Sequence, residues 1–271
     1  MSIITLTTDF GTQDEYVGVM KGVILSINSS TTIVDICHGI SPQNVIQAAY
    51  MLKGSFEYFP KGTVHIAVVD PGVGTERAIV AIKMPGHIFL APDNGLLTLL
   101  LDTGQVDTAV RVEDSRLFLK HVSRTFHGRD IFAPVGAHIA GGLDIQDIGA
   151  SLDPASLIQL PLKCSYTARA GKIPGELTGK IISIDRFGNL ITNIDLKSIE
   201  MLCKTGPKNK LLIKIRDFTI SGLSANYKSA AGLCPISIIG SRGYLEIAVN
   251  CGSACQYFNA ETGEPVRVFS V

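Results

Sequence analysis

An aspartate and an arginine lie seven residues apart in the segment that joins two apolar runs. The first run, 64–69, leads into Asp70-Pro71-Gly72, and Arg77 stands directly before the second run, 78–82. A carboxylate can orient a nucleophile or accept its proton, and a guanidinium, which is always charged, can stabilise a developing anion. Turns favour proline and glycine in any case, so the residues alone also fit an ordinary Asp-Pro-Gly turn with a surface arginine.

Two more polar residues of the same half adjoin apolar segments. Asp9 follows residues 3–8, which alternate as a strand, and His127 precedes a helical apolar repeat that stops at Gly141-Gly142. Open α/β sheets bind ligands at the carboxyl ends of their strands, which is where Asp9 falls. The dipole of a helix starting after His127 disfavours the imidazolium form. The residues alone leave a turn or cap role for Asp9 equally open, and for His127 they favour a structural histidine.

The elements that must position these residues alternate between strands and helices. Strands are predicted at 3–8, 32–36, 64–69, 78–83, 87–91 and 107–112, and helices at 12–28 and 42–56, after the turn 92–95 and after residue 127. Such alternation is typical of a largely parallel sheet that helices cover on both faces. We therefore predict an α/β domain.

Two helix starts carry capping signals. Thr12-Gln13-Asp14-Glu15 has the spacing of a capping box, in which the threonine hydroxyl and the glutamate carboxylate each bond a backbone amide of the first turn. Ser41-Pro42 has the composition of an N-cap followed by the first helical residue. The sequence thus predicts helices that begin at these two positions.

The sequence pattern changes after residue 153. From there to residue 175, prolines and glycines interrupt the chain, and no helical periodicity is present. Beyond this boundary, short strands are predicted at 177–185, 190–194, 211–217, 236–239, 243–249 and 265–270, with a short helix near 195–202. Short strands separated by turns are typical of a small barrel. We therefore predict an N-terminal α/β domain over residues 1–160 and a C-terminal β-barrel domain over residues 170–271.

Two polar clusters stand out in the second domain. One is Asp185-Arg186-Phe187-Gly188-Asn189 with Asn193, and the other is Ser241-Arg242-Gly243-Tyr244. Each joins a strand to a turn and offers aromatic or hydrogen-bonding groups, the usual contents of a polar ligand pocket. Ordinary turn chemistry explains them equally well at this point.

Composition restricts the class of partner. The 271 residues carry 24 basic and 24 acidic side chains, so the whole chain gives no electrostatic reason to expect nucleic acid or an anionic membrane. A small-molecule ligand is the better expectation, and a hydrophobic content of 46% allows burial between subunits as well as within them. The chain opens with an apparent strand rather than a secretory signal, which favours the cytoplasm. Its six scattered cysteines favour reduced, mostly buried thiols over a metal site.

Six motifs occur in order along nearly the whole chain: 8–11 (TDFG), 69–75 (VDPGVGT), 92–95 (PDNG), 125–130 (TFHGRD), 185–189 (DRFGN) and 241–245 (SRGYL). Together they resemble the motifs of the S-adenosyl-L-methionine hydroxide adenosyltransferases, the adenosine-forming hydrolases of S-adenosylmethionine, which are related to fluorinases and chlorinases. The resemblance implies an α/β domain followed by a β-barrel domain, and a homotrimer with its sites between subunits. It implies no metal and no cofactor, since S-adenosylmethionine is the substrate.

The resemblance also implies roles for individual residues. It matches Asp70, Arg77 and His127 to the hydrolase triad, and Asp9 to the carboxylate that holds the ribose hydroxyls. The other matches are Asp185, Ser241 and Arg242 around the methionine amine and carboxylate, Phe187 and Asn189 near the nucleoside, and Tyr227 for stacking on adenine. Water would attack the ribose C5′ in line with the departure of neutral methionine, a leaving group that needs no acid. Which group takes the proton of that water stays open.

The halogenating relatives are the nearest competing hypothesis. In their pattern a serine stands where this chain has Gly128, a tyrosine stands at the position of Asp70, and an arginine near adenine stands at the position of Val249. A carboxylate at position 70 would repel a halide, which favours hydrolysis. Two further hypotheses are a protein that binds S-adenosylmethionine or a nucleoside without turnover, and a metal-dependent hydrolase that uses Asp9, Asp70 and His127.

Overall fold

The structure is a computed structural model that describes residues 2–168, 175–205, 211–229 and 231–270. The chain divides into two compact units, Met1–Leu160 and Pro161–Val271. The predicted start of the second domain, residue 170, lies outside the described residues, as do Gly171 and Pro174 of the predicted boundary. Each unit is taken by itself below.

The first unit is built on a seven-stranded sheet. Its elements are β1 (Ile3–Thr8), α1 (Tyr16–Ile27), β2 (Thr32–Cys37), α2 (Val45–Ser55), β3 (Thr63–Val68), β4 (Ile79–Met84), β5 (His87–Pro92), α3 (Thr98–Leu101), β6 (Thr108–Arg111), α4 (Ala133–Ala140) and β7 (Ser151–Leu152). The strand order is β2-β1-β3-β5-β4-β6-β7. Strands β2, β1, β3 and β5 are parallel neighbours, and β6 has the same direction because it is antiparallel to β4, itself antiparallel to β5. The predicted largely parallel sheet is confirmed.

Helices cover both faces of this sheet, because side chains of a buried strand point alternately to either side. In β3, Val64, Ile66 and Val68 belong to a core shared with α1 and α4. Ala67 and the following Val69 belong to a second core, shared with α2 and α3. The strand that leads to Asp70 is therefore fixed by packing from both sides.

The helix starts differ from the predicted ones. Helix α1 begins at Tyr16 after Glu15, which is itself helical in conformation and gives no side-chain cap, so the predicted capping box does not form. Helix α2 begins at Val45, and its cap is Asn44, whose Oδ1 accepts a hydrogen bond from the amide of Gln47 at 2.9 Å. The Ser41-Pro42 start is wrong because the chain first makes a turn in which Gln43 has a φ of 64°.

The second unit is a nearly closed, barrel-like sheet. Its elements are β8 (Ser165–Thr167), β9 (Glu176–Ile184), β10 (Leu190–Asp195), α5 (Leu196–Leu202), β11 (Leu211–Ile215), β12 (Phe218–Ser221), β13 (Pro235–Ile239), β14 (Tyr244–Val249), α6 (Ala254–Phe258) and β15 (Pro265–Ser270). The order is β12-β11-β15-β9-β10-β14-β13, with β8 on β9. The amide of Ser224, just beyond β12, donates to the carbonyl of Ser237 in β13 at 2.7 Å, which brings the two ends of the sheet together. The predicted barrel-like architecture is confirmed.

Two features of the second unit were not predicted. Residues 211–217 are not one strand, because Arg216 has a φ of 49° and turns the chain into the hairpin partner β12. Helix α6 was also missed, although Ser253 caps it by accepting a hydrogen bond from the amide of Gln256. Five residues are too few for the apolar repeat by which helices are recognised.

The cysteines differ from expectation as well. All six are free, but only Cys203 is buried, and Cys234 and Cys251 are exposed.

Among the described residues no helix combines the length and the apolar character that crossing a membrane needs. Within the same residues, no group of three or more histidine, cysteine and acidic side chains is arranged to hold a metal ion.

Candidate active site

The loop between β3 and β4 holds Asp70 in a fixed position. The side-chain amide of Asn94 donates to the carbonyl of Val69 at 2.9 Å and so anchors the chain just before Asp70. Farther along the loop, Gly74 has a φ of 79°, and a Cβ there would lie 2.3 Å from the carbonyl oxygen of Arg124. Only glycine meets both conditions, so this residue lets the loop pack against the segment that carries His127.

Arg77 closes the loop by a buried ion pair with Asp70. Its Nε lies 2.8 Å from both Oδ1 and Oδ2 of Asp70, and its Nη2 also donates to Oδ2. The side chains of Asp70 and Arg77 are only 3% and 10% exposed. Two charges so far from water stay stable together because each compensates the other, and removing one would leave the other unpaired.

His127 extends this pair into a three-residue network. Nη2 of Arg77 lies 3.0 Å from Nδ1 of His127. A guanidinium has donors only, so Nδ1 must accept and the neutral ring carries its proton on Nε2. Burial, and next the charge of Arg77, lower the pKa of His127, while Asp70, Asp130 and the backbone of Ser123 act in the opposite direction. His127 is therefore the neutral imidazole that its place near a helix start suggested.

The segment around His127 is held by Asp130, which is fully buried. Its carboxylate accepts from the amide of Ser123 at 2.7 Å and from Nε of Arg129 at 2.6 Å. Burial acts to raise the pKa of Asp130, but these hydrogen bonds outweigh it and lower the pKa. The chain then runs through a π-helical turn, Gly128–Phe132, into α4. The sequence analysis gave Asp130 no role, although Asp130 is the last residue of the motif 125–130 (TFHGRD).

A cavity of about 400 Å³ opens beside this network at the carboxyl ends of β1 and β3. Asp9, Asp70 and His127 line it, whereas Arg77 does not. One oxygen of Asp9, Oδ2, accepts from the amide of Gln43 at 2.7 Å. No described residue donates to the other oxygen, Oδ1. The four predicted residues of this unit are thus brought together: three line the cavity, and Arg77 lies behind Asp70 and His127.

Aromatic side chains form another wall of this cavity. The rings of Phe10, Tyr16 and Phe126 contact one another with centroids 5.1 to 5.8 Å apart. A Cβ at Gly128 would lie 3.2 Å from Phe10, Phe126 and Met20. Position 128 is therefore tight even for a small side chain.

The second unit has its own cavity, of about 980 Å³. All six residues predicted to bind substrate in this unit line it: Asp185, Phe187, Asn189, Tyr227, Ser241 and Arg242. Ser241 and Arg242 lie in the tight loop between β13 and β14, where the amide of Gly243 donates to the carbonyl of Gly240 at 2.9 Å. Phe187 is 78% exposed, so its ring is available to a ligand. The structure thus brings two distant sequence clusters to one cavity.

Asp185 organises the turn that carries Phe187 and Asn189. Its Oδ1 accepts from the amides of both residues at 2.9 Å, and its Oδ2 accepts from the side-chain amide of Asn189 at 2.9 Å. A Cβ at Gly188 would lie 2.1 Å from the hydroxyl of Ser253, so the turn packs closely on the start of α6. Asn193 is not part of this cavity, since its side chain bonds the amide of Lys180 and the carbonyl of Leu162.

Glu246 also lines this cavity and was missed by the sequence analysis. Its Oε2 accepts a hydrogen bond from the hydroxyl of Tyr227 at 3.1 Å. Burial raises the pKa of Glu246, and the bond from Tyr227 and the charge of Arg242 only partly oppose this. The signal available in the sequence was one acidic residue inside the apolar strand β14.

An α/β unit with an ion-paired carboxylate beside a ligand-sized cavity, followed by a barrel-like unit with a second such cavity, is the architecture of a two-domain enzyme for small molecules. The sequence profile of the SAM hydroxide adenosyltransferase N-terminal domain matches residues 4–149, and that of the C-terminal domain matches residues 179–267. The chain belongs to the SAM hydroxide adenosyltransferase family. The resemblance drawn from the six motifs is confirmed.

Individual relatives match over almost their whole length. The chain is 34% identical to an (R)-S-adenosyl-L-methionine hydrolase of Thermus thermophilus, over 99% of this chain and 100% of the relative. It is 35% identical to one of Methanocaldococcus jannaschii, over 99% of this chain and 96% of the relative. A crystal structure of an uncharacterized conserved protein from Thermotoga maritima has a TM-score of 0.87 and 34% identity, covering 98% of this chain and 99% of that one.

Proposed function

We propose that the protein hydrolyses S-adenosyl-L-methionine to adenosine and L-methionine; its relatives are named (R)-S-adenosyl-L-methionine hydrolases. The observation that carries the proposal is the Asp70 carboxylate on the cavity wall of the first unit, backed by Arg77. Because the sulfonium substrate releases neutral methionine, the reaction needs no acid. It needs a water molecule that is held in line with the C5′–S bond and that loses a proton as it attacks.

We assign the proton of that water to Asp70. His127 cannot take it at Nδ1, because Arg77 occupies that nitrogen. The guanidinium of Arg77 cannot act as a base. Among the described residues, Asp70 Oδ1 accepts one hydrogen bond, from Arg77 Nε, and it therefore keeps a lone pair for the water. The charge of Arg77 stabilises the carboxylate before transfer, and His127 holds the guanidinium in place.

The remaining site residues have recognition roles in this proposal. Asp9 Oδ1 accepts the ribose hydroxyls, while Gln43 fixes the carboxylate through its other oxygen. Phe187 and Asn189 contact the nucleoside, and Tyr227 stacks on adenine. Ser241 and Arg242 bind the methionine carboxylate. Asp185 binds the methionine amine through the one lone pair that its own turn leaves unused.

The assembly we propose is a cytoplasmic homotrimer with its sites at subunit interfaces. Exposed aromatic rings in the large cavity support a covering partner, since Phe187 is 78% and Tyr227 43% exposed. Sedimentation equilibrium should give three times the mass of the 29.0 kDa chain. A monomer at micromolar concentration would contradict the trimer. We propose no cofactor, and turnover should be unchanged in excess chelator.

Hydrolysis fits the first cavity better than halide transfer does. Asp70 lines the cavity as a carboxylate, and a halide beside it would be repelled in a site shielded from water. The tight surroundings of Gly128 give no room for the serine of the halogenating relatives without rearrangement of Phe10 or Phe126. A non-catalytic binding role is the remaining candidate, and it would not require the buried pair of Asp70 and Arg77.

A product assay distinguishes these functions. Purified protein is incubated with S-adenosylmethionine, with and without added fluoride or chloride, and the products are separated by chromatography. Equal amounts of adenosine and methionine, with no halogenated nucleoside, are expected under all conditions. A halogenated product would support the halogenase instead, and binding without any product would support the non-catalytic role.

A further inference from the structure

The cavity of the second unit contains one buried acid to which the proposed roles assign nothing. Glu246 lies in β14, and only 8% of its surface is exposed. It nevertheless lines the cavity of about 980 Å³. A carboxylate seldom occupies such a position without a partner, because its charge loses the stabilisation of water.

The surroundings of Glu246 leave half of the carboxylate free for a ligand. Oε2 accepts from the hydroxyl of Tyr227. Oε1 lies where a side chain of residue 240 would otherwise stand, since a Cβ at Gly240 would be 1.8 Å from it. Within the described part of the chain no donor reaches Oε1. The glycine thus makes room for an acceptor that has no protein partner.

Glu246 also decides the charge of the cavity. The other ionised side chains that line it are Asp185 and Arg242, which balance each other. Both act on Glu246, Arg242 by attraction and Asp185 by repulsion. With Glu246 ionised the lining carries one net negative charge, and with Glu246 neutral it carries none. Such a charge favours a ligand of net positive charge.

The substrate of the proposed function has that charge. S-adenosylmethionine carries a sulfonium, an ammonium and a carboxylate, for a net charge of plus one. S-adenosylhomocysteine, the thioether without the S-methyl group, has nearly the same shape and no net charge. Contacts to the shared adenine, ribose, amine and carboxylate bind both ligands alike. Discrimination between the two ligands therefore requires an interaction that responds to the sulfonium charge.

We propose, on the basis of the proposed function, that Glu246 determines specificity for the sulfonium. Its carboxylate supplies the negative charge that selects the cationic substrate over the neutral thioether. The same charge gives no advantage to methionine or adenosine, neither of which has a net charge, and it therefore does not retain the products.

The proposal has a pH signature. Burial raises the pKa of Glu246 despite Tyr227 and Arg242, and the charge of Asp185 adds to the increase. Glu246 therefore loses its charge at a higher pH than an exposed glutamate does. Selectivity for the sulfonium should fall as the pH is lowered through this raised pKa, and it should not change with pH in Glu246→Gln.

Calorimetric titration tests the proposal with both ligands. Dissociation constants for S-adenosylmethionine and S-adenosylhomocysteine are measured in Asp70→Asn, which prevents consumption of the sulfonium, and in Asp70→Asn combined with Glu246→Gln. We expect the ratio of the two constants to fall about tenfold on the second change, through weaker sulfonium binding alone. Asp217→Asn in the same background is the matched control, because it removes an exposed carboxylate of the same unit that does not line the cavity; it should keep the ratio.

Equal weakening of both ligands, or an unchanged ratio, would overturn the proposal. If Glu246→Gln does not fold, the pH series on Asp70→Asn decides, and a ratio constant from about pH 8 down to about pH 4, below the ordinary pKa of a glutamate, overturns it. Failure of S-adenosylmethionine to bind would instead refute the proposed function, so the two failures are distinguishable.

Discussion

The two cavities differ in how the polar groups central to each are satisfied. In the first unit, Asp70, Arg77 and His127 bond one another, and the backbone around them is fixed by further hydrogen bonds. In the second unit, the ring of Phe187 is 78% exposed, and among the described residues no donor reaches Oε1 of Glu246. A closed network keeps a reacting group in one geometry, whereas open groups gain partners only from a ligand. This difference supports the proposed division of roles, with the chemistry in the first cavity and most of the recognition in the second.

The largest effect should come from removing the proposed base. Asp70→Asn keeps the shape and some hydrogen bonds to Arg77 but cannot accept a proton. We expect kcat to fall roughly 10³-fold with the dissociation constant for S-adenosylmethionine nearly unchanged. Glu57→Gln is the control, because Glu57 also pairs with a cation but is exposed. A wild-type kcat in Asp70→Asn would remove Asp70 from the mechanism.

Removing the other half of the pair should affect both activity and stability. Arg77→Met keeps most of the side-chain length and leaves Asp70 as an uncompensated buried charge. We expect a loss of activity of roughly 10²-fold and a decrease of about 3 kcal/mol in the free energy of unfolding. Urea denaturation measures the second quantity. Arg116→Met, which removes an exposed pair with Asp114, should change stability by less than about 1 kcal/mol.

A change in the second cavity should affect binding instead of turnover. Phe187→Ala removes an exposed ring that makes no proposed contact with the reacting atoms. We expect KM to rise about tenfold and kcat to change less than about twofold, because stacking is worth on the order of 1 kcal/mol. Steady-state kinetics with S-adenosylmethionine provide the measurement. A fall in kcat with unchanged KM would contradict the division of roles between the cavities.

The smallest effect concerns the protonation of His127. Because its pKa is below the ordinary value of 6.5, the ring stays neutral above that pH and gains a proton only on further acidification. Nδ1 then ceases to accept from Arg77, so kcat should fall a few-fold as the pH drops through the lowered pKa. His127→Asn offers an acceptor that does not titrate, so the decrease of kcat at low pH should be absent from its pH profile. Identical pH profiles for the wild-type protein and His127→Asn would assign the decrease of kcat at low pH to another group.

The sequence predicted the sheet and the barrel well because their signals are local. Apolar alternation located β3, and glycine, proline and aspartate marked the loop beyond it. The helix starts were wrong because Thr12 and Ser41 have suitable side chains, whereas the actual start depends on where the turns place the chain. Asn44 caps α2 because the turn at Gln43 presents it there.

The site was predictable in its residue types but not in its connections. The family resemblance named Asp70, Arg77 and His127, yet the position of Arg77 behind the cavity wall depends on how two distant segments pack. Glu246 was not predicted because its importance depends on the space left by Gly240 and on the hydroxyl of Tyr227. Such pairings join segments far apart in sequence, so no local pattern reveals them.

Incorporation of oxygen-18 tests the central claim most directly. The protein is incubated with S-adenosylmethionine in oxygen-18 water, and the adenosine formed is analysed by mass spectrometry. Attack of water at C5′ in the cavity of Asp70 predicts one labelled oxygen, located at the 5′-hydroxyl, and about a thousandfold slower labelling in Asp70→Asn. Unlabelled adenosine, or equal labelling rates in the two proteins, would contradict it.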